Sequence, residues 1–188
     1  MLYPHIIATC NQKVLSLLTK FSDLEFYERQ VARRLGISYG SANRALNELF
    51  PTGAVTRRRE GKMYFYSIDS PSAHVVELKK MINLMLVEPL VEELKKISNR
   101  IILYGSCALG TDTSKSDLDL FVVSTSKEDV SKVISNFKFP RGYENIHIQS
   151  VIKTPIELLE EDEPEQAFME EVERGIVLWE RAASESRV

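Results

Sequence analysis

Apolar residues recur at helical spacing in three segments near the N-terminus. Residues 12–21 and 27–35 each place apolar side chains three to four positions apart, which predicts two helices with one buried face each. A third helix with the same spacing follows, and Ser38 or Ser41 can serve as its N-cap. The second and third helices lie close together in sequence, which favours a helix–turn–helix.

A hairpin pattern follows these helices. Two strand-like runs, 54–58 and 63–68, flank Glu60 and Gly61, and glycine favours the tight turn that a β-hairpin needs. A helix, a helix–turn–helix and a hairpin in this order are typical of a winged helix. The pattern therefore predicts a winged helix-turn-helix domain over residues 1–70.

A strongly apolar segment separates the two halves of the chain. Pro71 marks the exit from the N-terminal domain, and residues 73–97 carry apolar side chains at helical spacing. Proline is favoured in the first turn of a helix and disfavoured inside one, so Pro89 predicts two helices that meet there. We expect residues 71–98 to form a helical linker.

Strand and helix patterns alternate in the rest of the chain, residues 99–188. Strands are predicted over 100–105, 118–124 and 146–153, and helices over 127–137 and an acidic tail, 156–182. The fold class of the whole chain is therefore α+β.

The charge differs between the two parts of the chain. Residues 1–70 contain ten Lys or Arg and six Asp or Glu, a balance of +4, whereas the whole chain has a net charge of −3. A basic N-terminal part on an acidic remainder suggests an anion-binding module joined to a different domain.

Composition argues against membranes and disulfides. The longest apolar run, around residues 81–87, is much too short to span a bilayer, and no signal peptide is evident. Cys10 and Cys107 are far apart and show no metal-ligand spacing, which favours two reduced thiols in a cytoplasmic protein.

The winged-helix prediction carries a nucleic-acid hypothesis. The third helix has five polar residues opposite its apolar stripe: Tyr39, Ser41, Asn43, Arg44 and Asn47. Arg and Asn can form paired hydrogen bonds with base edges in the major groove. Four basic residues crowd the hairpin tip, where phosphates can be bound: Arg57, Arg58, Arg59 and Lys62.

Residues 10–70 resemble the winged-helix domains of prokaryotic transcription regulators of the ArsR/MarR kind. The resemblance implies duplex DNA as a partner and a homodimer. RNA or a protein remains an alternative partner, because shape alone does not choose among them.

A second motif joins two predicted strands. The apolar strand 100–105 ends in Gly105 and Ser106, ten residues follow, and Asp117 and Asp119 then begin the next apolar strand. Strand side chains alternate, so the two aspartates share one face. Two adjacent carboxylates repel each other unless a cation lies between them, and Mg²⁺ prefers such oxygen ligands. Gly105 permits close approach of a phosphate to the backbone, and Ser106 offers an N–H and a hydroxyl.

This arrangement resembles the GS-x10-DxD motif of the minimal nucleotidyltransferase (MNT) family of the DNA polymerase β superfamily. The resemblance covers about residues 90–182. It implies a mixed sheet flanked by helices and transfer of a nucleoside monophosphate from an NTP, ATP being favoured, to a hydroxyl acceptor. It also implies that Gly105 and Ser106 hold the triphosphate and that Asp117 and Asp119 are catalytic ligands of Mg²⁺. HEPN-type proteins are frequent partners of this family, often in toxin–antitoxin pairs.

One feature departs from the family pattern. Active members usually carry a third carboxylate on a later strand, and the matching strand here has His147 and Gln149 where an aspartate is sought. Glu144 lies nearby in sequence and can substitute only if its loop brings it to the site. We expect His147 to be structural rather than a catalytic base.

Two functions therefore compete. The first is a working Mg²⁺-dependent nucleotidyltransferase coupled to a DNA-binding winged helix, which the complete first half of the motif favours. The second is a DNA-binding transcriptional regulator whose transferase domain is degenerate or only senses nucleotide, which the missing third carboxylate favours.

Overall fold

The computed structural model describes residues 3–69, 72–159 and 163–182. The chain forms two compact units. The first contains Met1–Leu86 together with two later segments, Gly110–Lys115 and Phe139–Ile146. The second contains Val87–Leu109, Ser116–Lys138 and His147–Val188. Each unit is therefore discontinuous in sequence.

The first unit consists mainly of short helices and one small sheet. Its elements are α1 (Tyr3–Ile6), α2 (Cys10–Lys20), β1 (Phe26–Tyr27), α3 (Glu28–Leu35), α4 (Tyr39–Leu49), β2 (Thr56–Glu60), β3 (Met63–Ser67) and the first part of α5 (Ala73–Leu94). The strands pair antiparallel in the order β1–β3–β2. The three helices and the hairpin predicted from the sequence are confirmed; the two-residue strand β1 and the short helix α1 were not predicted.

Local sequence explains where these helices begin and end. Thr9 caps α2, and its hydroxyl accepts a hydrogen bond from the N–H of Gln12. Ser38 is the N-cap of α4, and its side chain accepts from the N–H of Ser41 at 3.0 Å. Gly36 ends α3 with φ of 64°, a left-handed conformation that favours glycine.

The prediction of two helices meeting at Pro89 is wrong, because α5 is one helix that contains this residue. Proline removes one backbone donor from the helix, but burial of the flanking residues keeps both halves helical. Leu86, Val87 and Leu90 are at most 1 % exposed on either side of it. Pro71, where the N-terminal domain was expected to end, lies outside the described residues.

The second unit contains a mixed sheet and the helices that flank it. Its elements are the end of α5, β4 (Arg100–Tyr104), α6 (Gly105–Leu109), β5 (Leu118–Val123), α7 (Lys127–Asn136), β6 (Ile148–Lys153), α8 (Glu163–Glu173) and β7 (Ile176–Glu180). The sheet order is β6–β5–β4–β7, with β5 and β6 parallel and the other pairs antiparallel. The three predicted strands are confirmed.

The acidic tail was predicted as a helix over 156–182, and this is wrong for its last part. α8 ends at Glu173, Gly175 follows, and β7 then pairs with β4. Apolar and β-branched side chains at 176–179 favour a strand once a sheet edge is available. Gly175 is required here, since a Cβ would lie 2.4 Å from the carbonyl oxygen of Leu103.

The core of the second unit lies between the sheet and α8. Alternate residues of β4 and β5 point to this face, and the cluster consists of Ile102, Tyr104, Phe121, Val123 and Val172. Phe168 of α8 packs edge-on against Tyr104, with ring centroids 5.7 Å apart. Asp119 lies on the same face of β5 as Phe121. This packing therefore places the Asp119 carboxylate near the start of β5, on the face of the sheet that α8 covers.

Among the residues described, no helix is both long and apolar enough to cross a membrane.

Candidate nucleotidyl-transfer site

The end of β4 and the start of β5 bring Gly105 directly against Asp119. Tyr104 and Asp119 are register partners in the antiparallel pair. Gly105 has φ of 66°, and a Cβ built on it would lie 2.6 Å from Asp119 Oδ2. Only glycine fits here, because any larger residue would meet both an unfavourable backbone conformation and the carboxylate. Gly105 and Asp119, which were predicted from the sequence, therefore lie side by side.

The two aspartates are held by a buried strand. Asp117 directly precedes β5 and is exposed, and Asp119 is half-buried within it. Leu118 and Leu120, which point to the opposite face, are fully buried. The Cys107 thiol donates a hydrogen bond to the carbonyl of Asp117 at 3.3 Å, which ties α6 to the beginning of the motif strand. Cys107 is buried and Cys10 is half-buried.

The surroundings of Asp119 disfavour a negative charge that no cation compensates. Burial raises the pKa of Asp119 above its usual value, and the charges of Asp117 and Glu171 raise it further. Burial also raises the pKa of Tyr104 to about 12, again with Asp119 and Glu171 contributing. A cation bound here would relieve the repulsion among these carboxylates.

A cleft of about 400 Å³ opens beside Gly105. One side is formed by α6, through Ala108 and Leu109, and the other by α8 and the residues after it. The α8 side contributes Ala167, Glu170, Glu171, Arg174 and Gly175. Sequence motifs did not identify Glu171 or Arg174, because they follow the Gly-Ser motif by more than sixty residues and match no local pattern.

The position of the expected third carboxylate is occupied by glutamine. Gln149 on β6 is the register partner of Asp119 in the parallel pair, so the two side chains share a face, and Gln149 is exposed. His147 is also exposed. Glu144 belongs to the first unit, where its carboxylate accepts a hydrogen bond from the N–H of Gly142 at 2.8 Å.

These donors fit one divalent cation better than two. In the part of the chain that the structure describes, no group of three or more His, Cys, Asp or Glu side chains is arranged to hold a metal ion. Asp117 and Asp119 are hard oxygen donors whose mutual repulsion a cation offsets, and Mg²⁺ commonly completes its coordination with phosphate oxygens and water. The residues therefore fit a metal held jointly with a substrate, and they do not supply a second site.

The predicted recognition residues lie on α4 of the first unit. Tyr39, Arg44 and Asn47 are exposed, and Ser41 and Asn43 are half-buried. Asn47 Nδ2 donates to Asn43 Oδ1 at 3.0 Å, which orients both amides along the helix. The opposite face is the buried stripe of Ala42, Ala45 and Leu46.

The basic residues of the hairpin differ in their availability. Arg58 forms ion pairs with Glu25 at 2.7 Å and Glu60 at 2.6 Å, and its hydrogen bond lowers the pKa of Glu25. The Arg57 guanidinium lies 4.0 Å from the ring centroid of Phe50. Lys62, in the two-residue turn between β2 and β3, is exposed.

Arg59 lies beside that turn. Its Nε donates to the carbonyl of Gly61 at 3.1 Å. Lys62 and Arg59 therefore present more accessible charge than Arg58, whose charge is offset by two carboxylates.

A mixed sheet with a Gly-Ser turn facing two aspartates defines the class of this domain as a nucleotidyltransferase. The chain belongs to the family described as "Nucleotidyltransferase domain", whose sequence profile matches residues 84–181, more than half of the chain. Members of this family generally use a nucleoside triphosphate and a divalent metal ion.

Among solved structures, the chain is similar to a "putative nucleotidyltransferase" from Sulfolobus solfataricus. The match has 20 % identity and a TM-score of 0.39, and it covers 60 % of this chain and 94 % of that one. No curated protein matches the chain significantly.

Proposed function

We propose that this protein transfers a nucleoside monophosphate from an NTP, with ATP favoured, to a hydroxyl acceptor in a Mg²⁺-dependent reaction. The acceptor oxygen forms a bond to the α-phosphorus and loses its proton, and pyrophosphate leaves. The observation that carries the proposal is the contact between Gly105 and Asp119, which brings a phosphate-accepting turn and a metal-binding carboxylate to one point. The family assignment independently supports nucleotidyl transfer.

The residues of the site have distinct roles in this proposal. The backbone at Gly105 and the Ser106 hydroxyl bind the triphosphate, which the absence of a Cβ allows to approach closely. Asp117 and Asp119 would hold Mg²⁺, which when bound neutralises charge developing on the phosphates. The cleft between α6 and α8 admits the nucleoside beside these groups. A bound cation would offset the repulsion that raises the pKa of Asp119, so we expect nucleotide and cation to bind together.

A label-transfer experiment tests the reaction itself. Incubated with Mg²⁺ and an extract of the source cells, wild type should transfer label from [α-³²P]ATP but not from [γ-³²P]ATP, because the α-phosphate stays with the nucleoside. Asp117→Asn should abolish transfer. Asp129 is an exposed aspartate on α7, and the control variant Asp129→Asn should retain transfer. Transfer of γ-label, or equal transfer by Asp117→Asn, would contradict the proposal.

A regulator with a degenerate transferase domain is the second candidate, and Gln149 is the observation that favours it. Glutamine opposite Asp119 supplies no charge for a second cation. If only this carboxylate is missing, Gln149→Asp should raise the transfer rate by about 10²-fold, the size of a general-base contribution. If the site lacks other catalytic features as well, Gln149→Asp should not raise the transfer rate. Gln149→Glu is the control, because it adds the same charge on a side chain one methylene longer than aspartate.

We further propose that the first unit binds duplex DNA as a winged helix, with α4 in the major groove. The exposure of Tyr39, Arg44 and Asn47 opposite a buried stripe supports this. The homodimer and the HEPN-type partner belong to the same proposal and rest on family resemblance alone.

Lys62 gives the sharpest test of the hairpin. Arg58→Glu would place a new carboxylate beside those of Glu25 and Glu60. Weaker DNA binding by this variant would then have two causes, repulsion within the hairpin and a lost contact to DNA. In gel shifts with DNA from the gene's own upstream region, Lys62→Ala should weaken binding and lower the salt slope by about one. Arg44→Ala should instead reduce discrimination among sequences. Equal competition by RNA would favour the alternative partner.

A further inference from the structure

A cluster of buried polar side chains holds the loop that connects the two halves of the nucleotidyl-transfer motif. Lys20 Nζ donates to Asp112 Oδ2 at 2.6 Å, and these side chains are at most 2 % exposed. Asn83 is also buried; its Nδ2 donates to Asp112 Oδ1 at 2.9 Å, and its Oδ1 accepts from Lys20 at 2.7 Å. Both carboxylate oxygens of Asp112 are therefore bound.

The same loop is fixed at three further points. Lys79 Nζ donates to the carbonyl of Asp112 at 2.6 Å. Asp23 accepts hydrogen bonds from the N–H of Ser114 at 2.8 Å and from its hydroxyl at 2.6 Å. Gly110 lies so close to α5 that a Cβ would be 2.4 Å from the carbonyl oxygen of Val76. The loop is thus held at its beginning, middle and end.

The anchors and the loop ends belong to different parts of the chain. Lys20, Asp23, Lys79 and Asn83 come from α2, the turn after it and the first part of α5, all within the first unit. The loop itself, residues 110–115, continues at one end into α6 with Gly105 and Ser106 and at the other into Asp117 and Asp119. The backbone therefore joins the loop, at both of its ends, to segments that carry residues of the transfer site.

We propose that Lys20, Asp23, Lys79 and Asn83 are positioning residues for nucleotide binding, acting through Asp112 and Ser114. This inference rests on the proposed function of the site. Enclosing a lysine–aspartate pair is costly unless further hydrogen bonds stabilise it, and here Asn83 bonds to both side chains. Lys79 adds a hydrogen bond to the backbone carbonyl of Asp112. These contacts restrain the loop, and a preformed phosphate and metal site requires such restraint of its supporting residues.

The test uses full-length variants in which the buried pair, Lys20 and Asp112, is unchanged. Asp23→Ala removes both contacts to Ser114 from an exposed position, Ser114→Ala removes one, and Asp129→Ala is the matched exposed control. We expect Asp23→Ala to weaken ATP·Mg²⁺ binding in calorimetry by about three- to tenfold, because it removes two hydrogen bonds that hold the loop. Its melting temperature should stay close to that of Asp129→Ala.

Hydrogen exchange gives a readout that does not require nucleotide. In Asp23→Ala, amides of 105–109 and 116–119 should exchange faster, whereas those of β6 should not change. Unchanged affinity together with unchanged exchange would overturn the inference. If wild type binds no ATP·Mg²⁺, the proposed function fails, while faster exchange confined to these segments still supports positioning. Faster exchange throughout the chain would mean general destabilisation and would also overturn it.

Discussion

At the scale of single residues, the site depends on one glycine and one carboxylate. The sequence predicted Gly105 and Asp119 as site residues from motif spacing, because strand periodicity and glycine's backbone freedom can both be read locally. It could not show that the two touch, since their contact depends on the register between β4 and β5. Glu171 was missed for the same reason, as only packing of α8 brings its charge to Asp119.

Gly105→Ala should damage the site more than a left-handed glycine elsewhere. Gly61 has a similar φ of 58° but open space around it, so Gly61→Ala measures backbone strain alone. We expect Gly105→Ala to lose nucleotide binding and to lower the free energy of unfolding by about 1–3 kcal/mol, whereas Gly61→Ala loses about 1 kcal/mol and keeps binding. Equal effects of the two substitutions on calorimetric binding would contradict a specific role for the Gly105–Asp119 contact.

Asp119→Asn should stabilise the protein while inactivating it. The folded-state pKa is raised, so the stability that this carboxyl contributes is present below its ordinary pKa and is lost as pH rises through the raised value. At pH 7 the ionised group therefore opposes folding, and Asp119→Asn should raise the melting temperature, with the difference vanishing in acid. Mg²⁺ should raise the melting temperature of wild type but not of the variant. A lower melting temperature for Asp119→Asn at pH 7 would contradict this.

At the scale of elements, helical and strand periodicity predicted most of the observed segments. The errors occur where tertiary contacts override local preference. A proline inside α5 is tolerated because both sides of it are buried, and residues 176–180 form a strand because the free edge of β4 is available to them. Neither circumstance is visible in a short window of sequence.

Pro89→Ala should stabilise α5. Alanine restores an N–H that can donate to the carbonyl of Met85, and alanine is favoured over proline inside a helix by about 3 kcal/mol. Loss of proline's restraint on the unfolded chain offsets about 1 kcal/mol of this gain. The net free energy of unfolding in urea should therefore rise by about 2 kcal/mol. A fall would show that packing around Leu90 depends on the local shape that proline imposes.

At the scale of the whole molecule, the division of the chain is not linear. Residues 110–115 and 139–146 fold with the N-terminal unit although they lie within the sequence of the transferase domain. Sequence patterns could not reveal this, because periodicity reports local structure and these segments are short loops. Asp112, in the first of these segments, forms its buried contacts with residues of the same unit.

If the loop transmits changes between its anchors and the transfer site, DNA and nucleotide should influence each other's binding. Linkage requires that ATP·Mg²⁺ change the affinity for DNA by the same factor as DNA changes the affinity for ATP·Mg²⁺. We expect a factor of about five or more in wild type and a smaller one in Asp23→Ala, measured by fluorescence anisotropy and calorimetry. Independent binding in wild type would exclude coupling while leaving each site intact.

Calorimetric titration of ATP, with and without Mg²⁺, tests the nucleotidyl-transfer site most directly. Wild type and Asp129→Asn should bind only when Mg²⁺ is present, and Asp117→Asn/Asp119→Asn should not bind under either condition. Binding that persists in the double variant, or no binding by wild type with Mg²⁺, would contradict a nucleotide site built on Gly105, Asp117 and Asp119.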